Sequence, residues 1–102
     1  MSKIEQLREF LKENPGDSFL RFALALEFIK IENFDDALKL FKLLVEEDPQ
    51  YLATYLHYGN LLSATGNSSL AEKIYTIGID IANAQNKIKA RQELEQALFL
   101  LD

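Results

Sequence analysis

Residues 18–51 read SFLRFALALEFIKIENFDDALKLFKLLVEEDPQY and residues 52–85 read LATYLHYGNLLSATGNSSLAEKIYTIGIDIANAQ. Laid over each other, the two stretches place Asn33 on Asn67, Ala37 on Ala71 and Lys39 on Lys73, all 34 apart. Pro15 stands the same 34 residues before Pro49. Elsewhere the match is one of residue class, Leu24-Ala25 over Tyr58-Gly59, Phe28 over Leu62 and Phe41 over Tyr75, while Leu44 meets Gly78. Self-similarity at a fixed period of this length is the mark of a repeat architecture, tested before any fold is assigned.

Within each copy the apolar residues recur three and four apart, as on one face of a helix. No Asn-Gly or Asp-Gly turn separates alternating runs, so sheet has little support. Short polar breaks divide the chain into six helices. Ser2 and Glu5 read as a capping box ahead of a first helix, whose Ile4, Leu7, Phe10 and Leu11 make a buried stripe. Asn14-Pro15-Gly16 ends it, because the residue before Pro is driven from the α region. Asp17 or Ser18 caps a second helix to about Ile31. Asn33 caps a third to Glu47, with Asp35 and Asp36 favoured by its dipole. Asp48-Pro49 reads as cap and first residue of a fourth, Pro being tolerated there. That helix ends at Thr65-Gly66, with Gly66 left-handed. Asn67 or Ser68 starts a fifth helix to about Gln85. A sixth, from about Lys87, carries Ala90, Leu94, Ala97, Leu98 and Leu101 on one face. Such short connections imply antiparallel neighbours.

These offsets resemble the tetratricopeptide repeat, a 34-residue helix–turn–helix unit. Leu24, Ala25, Phe28, Phe34, Ala37, Phe41 and Pro49 carry the resemblance in the first copy. Tyr55, Tyr58, Gly59, Leu62, Gly66, Ala71, Tyr75 and Gly78 carry it in the second. Three positions depart: Leu44 where a small residue is usual, Arg21 where Trp is common, and Asn83 where Pro would fall. The last implies a fifth helix that runs past the usual stop. The whole chain is similar to small stand-alone bacterial proteins of this family. The expected fold is all-α, a short antiparallel α-α superhelix of about six helices in a single domain, 1–102. Within it, 1–17 is a half-repeat helix, 18–51 and 52–85 are repeats, and 86–102 is a capping helix. Helices at the two ends are needed because repeat arrays otherwise expose apolar faces. Gly59 and Gly78, mid-helix, each cost about 0.5–1 kcal/mol relative to Ala and so require a packing reason.

Composition narrows the function. The chain has 102 residues, 48% of them hydrophobic and 26% charged, which is globular composition for one domain. The absence of Cys removes disulfides, thiolate metal sites and thiol nucleophiles, and a single His leaves no multi-His metal site. We therefore expect no metal and no cofactor. A net charge of −5 argues against nucleic acid as partner, since phosphate contacts need clustered cations. Lys87, Lys89 and Arg91 are too few for such a footprint. No apolar run approaches the roughly 18–20 residues of a membrane span, and residues 1–16 do not read as a signal peptide. The expectation is a cytoplasmic protein. No phosphate loop, dinucleotide turn or nucleophile–base–acid set is present, so an enzyme is not expected. Glu46-Glu47-Asp48 reads as a solvated loop edge.

The second helix carries more apolar surface than one interface uses. Leu20, Leu24, Phe28 and Ile31 form its core stripe. Phe19, Phe22, Leu26 and Ile29 form another, bordered by Arg21 and Lys30. Either neighbouring helices curl over that stripe, or it is an open groove for a partner. In the resembled architecture, the first helices of successive repeats line a concave face. The matching stripe on the fourth helix is Ala53, Leu56, His57, Asn60 and Ala64, smaller and more polar. The candidate partner-binding residues are therefore Phe19, Phe22, Leu26, Ile29, Lys30, His57 and Asn60. The resulting expectation is a non-catalytic scaffold module that binds a protein or peptide. The alternative is a self-associating protein using the same stripe, or the Leu98–Leu101 face, in a homodimer. Some modules of this family clamp a C-terminal carboxylate. Asn60 suits that role, but Phe22 and Leu26 stand where cations and amides are required.

Overall fold

The structure, a computed structural model, describes residues 1–101. Among these residues there are six helices and no strand: α1 (Lys3–Glu13), α2 (Ser18–Lys30), α3 (Phe34–Glu47), α4 (Ala53–Ala64), α5 (Ser68–Ala84) and α6 (Ile88–Phe99). The fold is an all-α helical repeat. The sequence reading treats residues 1–102 as one domain; the chain groups into two compact units, Met1–Tyr51 and Leu52 onward, the boundary in sequence falling where the second 34-residue copy begins.

In the first unit α2 packs against both α1 and α3. Its core is Leu7, Leu24, Ala25, Phe28, Ala37, Phe41 and Leu44. Leu44 takes the place of the usual small residue and is completely buried. The Arg8 guanidinium lies 5.4 Å from the centre of the Phe28 ring, so a cation rests on an aromatic face between α1 and α2. Two stripe residues are not where the spacing placed them. Phe10 and Ile31 are exposed. Phe10 faces outward because α1 has a neighbour on one side only, and Ile31 because it has left the helix and is the C-cap of α2.

In the second unit α5 packs against α4 and α6, and α4 also meets α6. Tyr55, Tyr58, Leu61, Leu62, Ala71, Ile74, Tyr75, Ala82 and Leu94 are buried. Both mid-helix glycines have steric causes. A Cβ on Gly59 would enter the Tyr75 ring, and one on Gly78 would lie 2.6 Å from Tyr55 Cβ and 3.1 Å from Leu94 Cδ1. Asn83 lies inside α5, which runs on to Ala84.

Helix ends follow side-chain chemistry. Ser2, Asp17, Asn33 and Asn67 each accept a backbone N–H from three residues on, at Glu5, Leu20, Asp36 and Leu70. At α1 the reciprocal bond of the capping box is replaced by Ser2 Oγ donating to Glu5 Oε1 at 3.2 Å. The C-termini of α2, α4 and α5 share one device. Glu32, Gly66 and Asn86 have φ of 59°, 89° and 57°. The N–H of the following residue then reaches back five residues: Asn33 to Phe28 O at 2.9 Å, Asn67 to Leu62 O at 2.8 Å, and Lys87 to Ala82 O at 2.9 Å. This is the Schellman closure, which satisfies the last carbonyls of a helix.

Two sequence expectations are corrected. Asp48-Pro49 does not open the fourth helix. Asp48 is the C-cap of α3, Tyr51 N–H bonds Asp48 O at 3.1 Å across a turn, and α4 begins at Ala53 without a side-chain cap. Asp48 lies too far before Ala53 to cap α4, and its carboxylate instead accepts from Ser18 Oγ. Nor is Glu46-Glu47-Asp48 merely a solvated edge. Glu47 pairs with Arg21 at 2.7 Å, so two of these three acids tie the end of α3 to the start of α2.

Candidate functional site: a trough between α4 and α6

His57 and Asn60 lie one turn apart on α4, and Glu93 and Gln96 one turn apart on α6. That spacing puts each pair on one helix face. Where the faces meet, two depressions open side by side. The first, about 280 Å³, is lined by Leu52, Ala53, Leu56, His57, Ala90, Glu93 and Leu94. The second, about 440 Å³, is lined by Leu56, Asn60, Ser63, Tyr75 and, from α6 onward, Glu93, Gln96, Ala97, Leu100 and Leu101. They share Leu56 and Glu93 and so form one trough, mainly apolar at one end and of mixed character at the other. A third depression, about 450 Å³, continues past Glu93 to Lys87 and Lys89.

The electrostatics are simple. Partial burial of His57 pushes its pKa below 6.5, opposed by the smaller attraction of Glu93. The imidazole is therefore neutral at pH 7. Tyr75 donates its hydroxyl to Asn60 Oδ1 at 2.6 Å. Burial raises the Tyr75 pKa above 10.0, which keeps the phenol a donor. The bond fixes the Asn60 amide with its oxygen toward Tyr75.

Of the α4 stripe read from sequence, Ala53, Leu56, His57 and Asn60 line the trough. Ala64 does not, and is exposed. The residues that sequence reasoning passed over are on α6: Glu93 and Gln96. Ala90, Glu93 and Ala97 recur three and four apart beside Leu94, which marks a helix face but not a site.

In the first unit the candidate residues fall into three environments. Phe19 is 65% exposed. Phe22, Leu26 and Ile29 are half-buried. Phe22 packs into its own unit, with ring centres 6.4 Å from Phe41 and 5.8 Å from Tyr51 in tilted contacts. Lys30 is exposed and bonded to Glu27 at 2.9 Å, while Lys3 approaches the same carboxylate at 4.0 Å. Among the described residues no three acidic or His side chains group as a metal site, and no helix is long and apolar enough to cross a membrane.

A family model for the tetratricopeptide repeat matches residues 28–90. The chain belongs to the tetratricopeptide repeat family. A tetratricopeptide repeat domain protein from Salinibacter ruber is 39% identical, with a TM-score of 0.82, over 86% of this chain and 89% of that one. A protein from Bordetella parapertussis is 25% identical, TM-score 0.84, over 99% and 88% of the two chains. The TPR2B domain of yeast Sti1, solved as a complex with pHsp70, shares the fold at 18% identity and a TM-score of 0.87, over 94% and 77%. No curated protein sequence matches the chain. Tetratricopeptide proteins are in general non-catalytic modules of protein–protein interaction.

Proposed function

We propose that this tetratricopeptide chain is a cytoplasmic scaffold module that binds a partner peptide or helix, with the trough between α4 and α6 as its principal seat. The observation that carries this reading is the trough's make-up. It has an apolar end floored by Leu52, Leu56 and Leu94, and a mixed end where the amides and hydroxyl of Asn60, Gln96 and Ser63 stand among Ala97, Leu100 and Leu101. A concave site with an apolar floor and few polar groups is the usual form of a recognition pocket. Rigid helices hold its anchors in place before binding, which reduces the ordering cost of association. In the first unit, the α2 stripe of exposed Phe19 with Leu26, Ile29 and Lys30 is a separate candidate surface. Phe22 supports it from within. The Sti1 domain's pHsp70 partner is not carried over, because Phe22 and Leu26 occupy positions where a tail clamp needs cations and amides.

The test is affinity capture from native lysate with wild type, Ala53→Trp and Phe19→Glu. Ala53 is exposed at the mouth of the trough, so Trp there obstructs it without entering the core. The expected result is that specific partners fall away in Ala53→Trp while circular dichroism and thermal midpoint are unchanged. Identical partner sets for all three proteins would overturn the reading.

One observation favours the homodimer as a second reading. Phe99 and Leu100, at the end of α6, are 87% and 68% exposed. Sedimentation at several concentrations decides it: a monomer throughout removes self-association, and a dimer lost in Phe99→Ser supports it.

A further inference from the structure

Glu93 lines all three depressions along α6. In the first two it is, among the described residues, the only acidic or basic side chain apart from His57. Lys89 precedes it by one turn, yet among the described residues no ion pair within 4.0 Å engages Glu93. An exposed carboxylate therefore stands at the centre of the trough with no cation of its own unit closing on it. Directly beside it is the apolar floor of Leu52, Leu56 and Leu94. We propose that the partner segment presents a Lys or Arg next to an aliphatic residue, the aliphatic side chain entering over Leu56 and the cation meeting Glu93. The inference rests on the module reading above and names the chemistry of its partner.

Charge complementarity decides against an acidic segment. Over the first two depressions such a segment would meet Glu93 and no Lys or Arg, and like charges placed together at an interface suppress binding. The end that carries the amides gives the segment its direction. Asn60 has its oxygen occupied by Tyr75 and presents its Nδ2 donors, and Gln96 offers both a donor and an acceptor. These groups suit the backbone of a bound chain. Lys87 and Lys89 flank the far side of Glu93, so the cation has to approach from the Gln96 side.

The test uses a fluorescein-labelled positional-scanning decapeptide library against the full chain, with Glu93→Gln and Glu93→Lys as variants. Glu93 is exposed, so both substitutions leave the core intact. Wild type is expected to select peptides with adjacent aliphatic and basic residues, in a manner weakened by salt. Glu93→Gln should lose about two- to fivefold in affinity, the range of an exposed ion pair. Glu93→Lys should reverse the preference toward acidic peptides. Selection of aliphatic peptides without a cation, with amide shifts confined to α4 and α6, would overturn the charge assignment and leave the module reading standing. Selection of no peptide at all, or equal selection by all three proteins, would overturn the proposal itself, and the lysate capture would then judge the module reading on its own.

Discussion

Tyr75 lies across Gly59: its ring fills the volume a side chain at Gly59 would occupy, and its hydroxyl continues to Asn60 Oδ1, 2.6 Å away. One aromatic residue on α5 thus sets both how closely α4 approaches and how a trough amide is aimed. Gly59→Ala forces a buried ring to move. Overpacking of this kind costs about 1–3 kcal/mol, partly offset by the higher helix propensity of Ala. Urea unfolding is expected to show a net loss of about 1–2 kcal/mol. Tyr75→Leu in the same background should recover part of it, which a double-mutant cycle will register as coupling.

Glu32 and Gly66 occupy the same place in their respective copies, both left-handed, at φ of 59° and 89°. A side chain in that region costs about 1–2 kcal/mol. Glu32→Gly should therefore raise stability by about 0.5–1 kcal/mol after the added freedom of the unfolded chain is counted. Gly66→Ala should lower it by about 1 kcal/mol. Thermal midpoints of the two variants are expected to move in opposite directions.

Phe19 and Phe22 look alike in sequence and differ in space. Phe22 touches the rings of Phe41 and Tyr51, whereas Phe19 is mostly in solvent. Phe22→Ala is expected to destabilise by about 2–3 kcal/mol and Phe19→Ala by less than about 0.5 kcal/mol. Equal losses in chemical denaturation would contradict the packing described.

His57 is held below its ordinary pKa of 6.5, first by burial. The unfolded chain therefore takes up the proton more readily than the folded one. Stability is full above about pH 6.5 and declines as pH falls through that value toward the folded-state pKa. Glu27, whose pKa is lowered from 4.5 chiefly by its hydrogen bond with Lys30, acts in the same direction at lower pH: its contribution is present above 4.5 and fades as acid protonates it. Comparing urea midpoints at pH 7.5, 5.5 and 3.5, His57→Gln should flatten the change between the first two and leave the fall below pH 4.5 in place.

Much of this architecture is legible in the residues, for local reasons. The caps at Ser2, Asp17, Asn33 and Asn67 and the left-handed Gly66 act within a few residues of themselves, and the 34-residue offsets carry the repeat. The errors came where distant partners intervene. Asp48 looks like a cap for a helix opened by Pro49, but it ends α3, a turn separates it from α4, and its carboxylate accepts from Ser18, thirty residues away. Phe10 obeys the stripe but is left 53% exposed. Glu32 gives no sign of its backbone state, because Glu is not a residue type selected for it. The α4 side of the trough could be read from spacing alone. Glu93 and Gln96 could not, since only tertiary packing of α6 beside α4 makes them part of a site.

Asn33 and Asn67 each hold two helices at once. The backbone N–H of each closes the helix before it, while its side-chain oxygen starts the helix after it. Neither helix of such a pair is able to fray at that corner without releasing the other. Hydrogen exchange should therefore report α2 with α3, and α4 with α5, as paired blocks whose amides lose protection together.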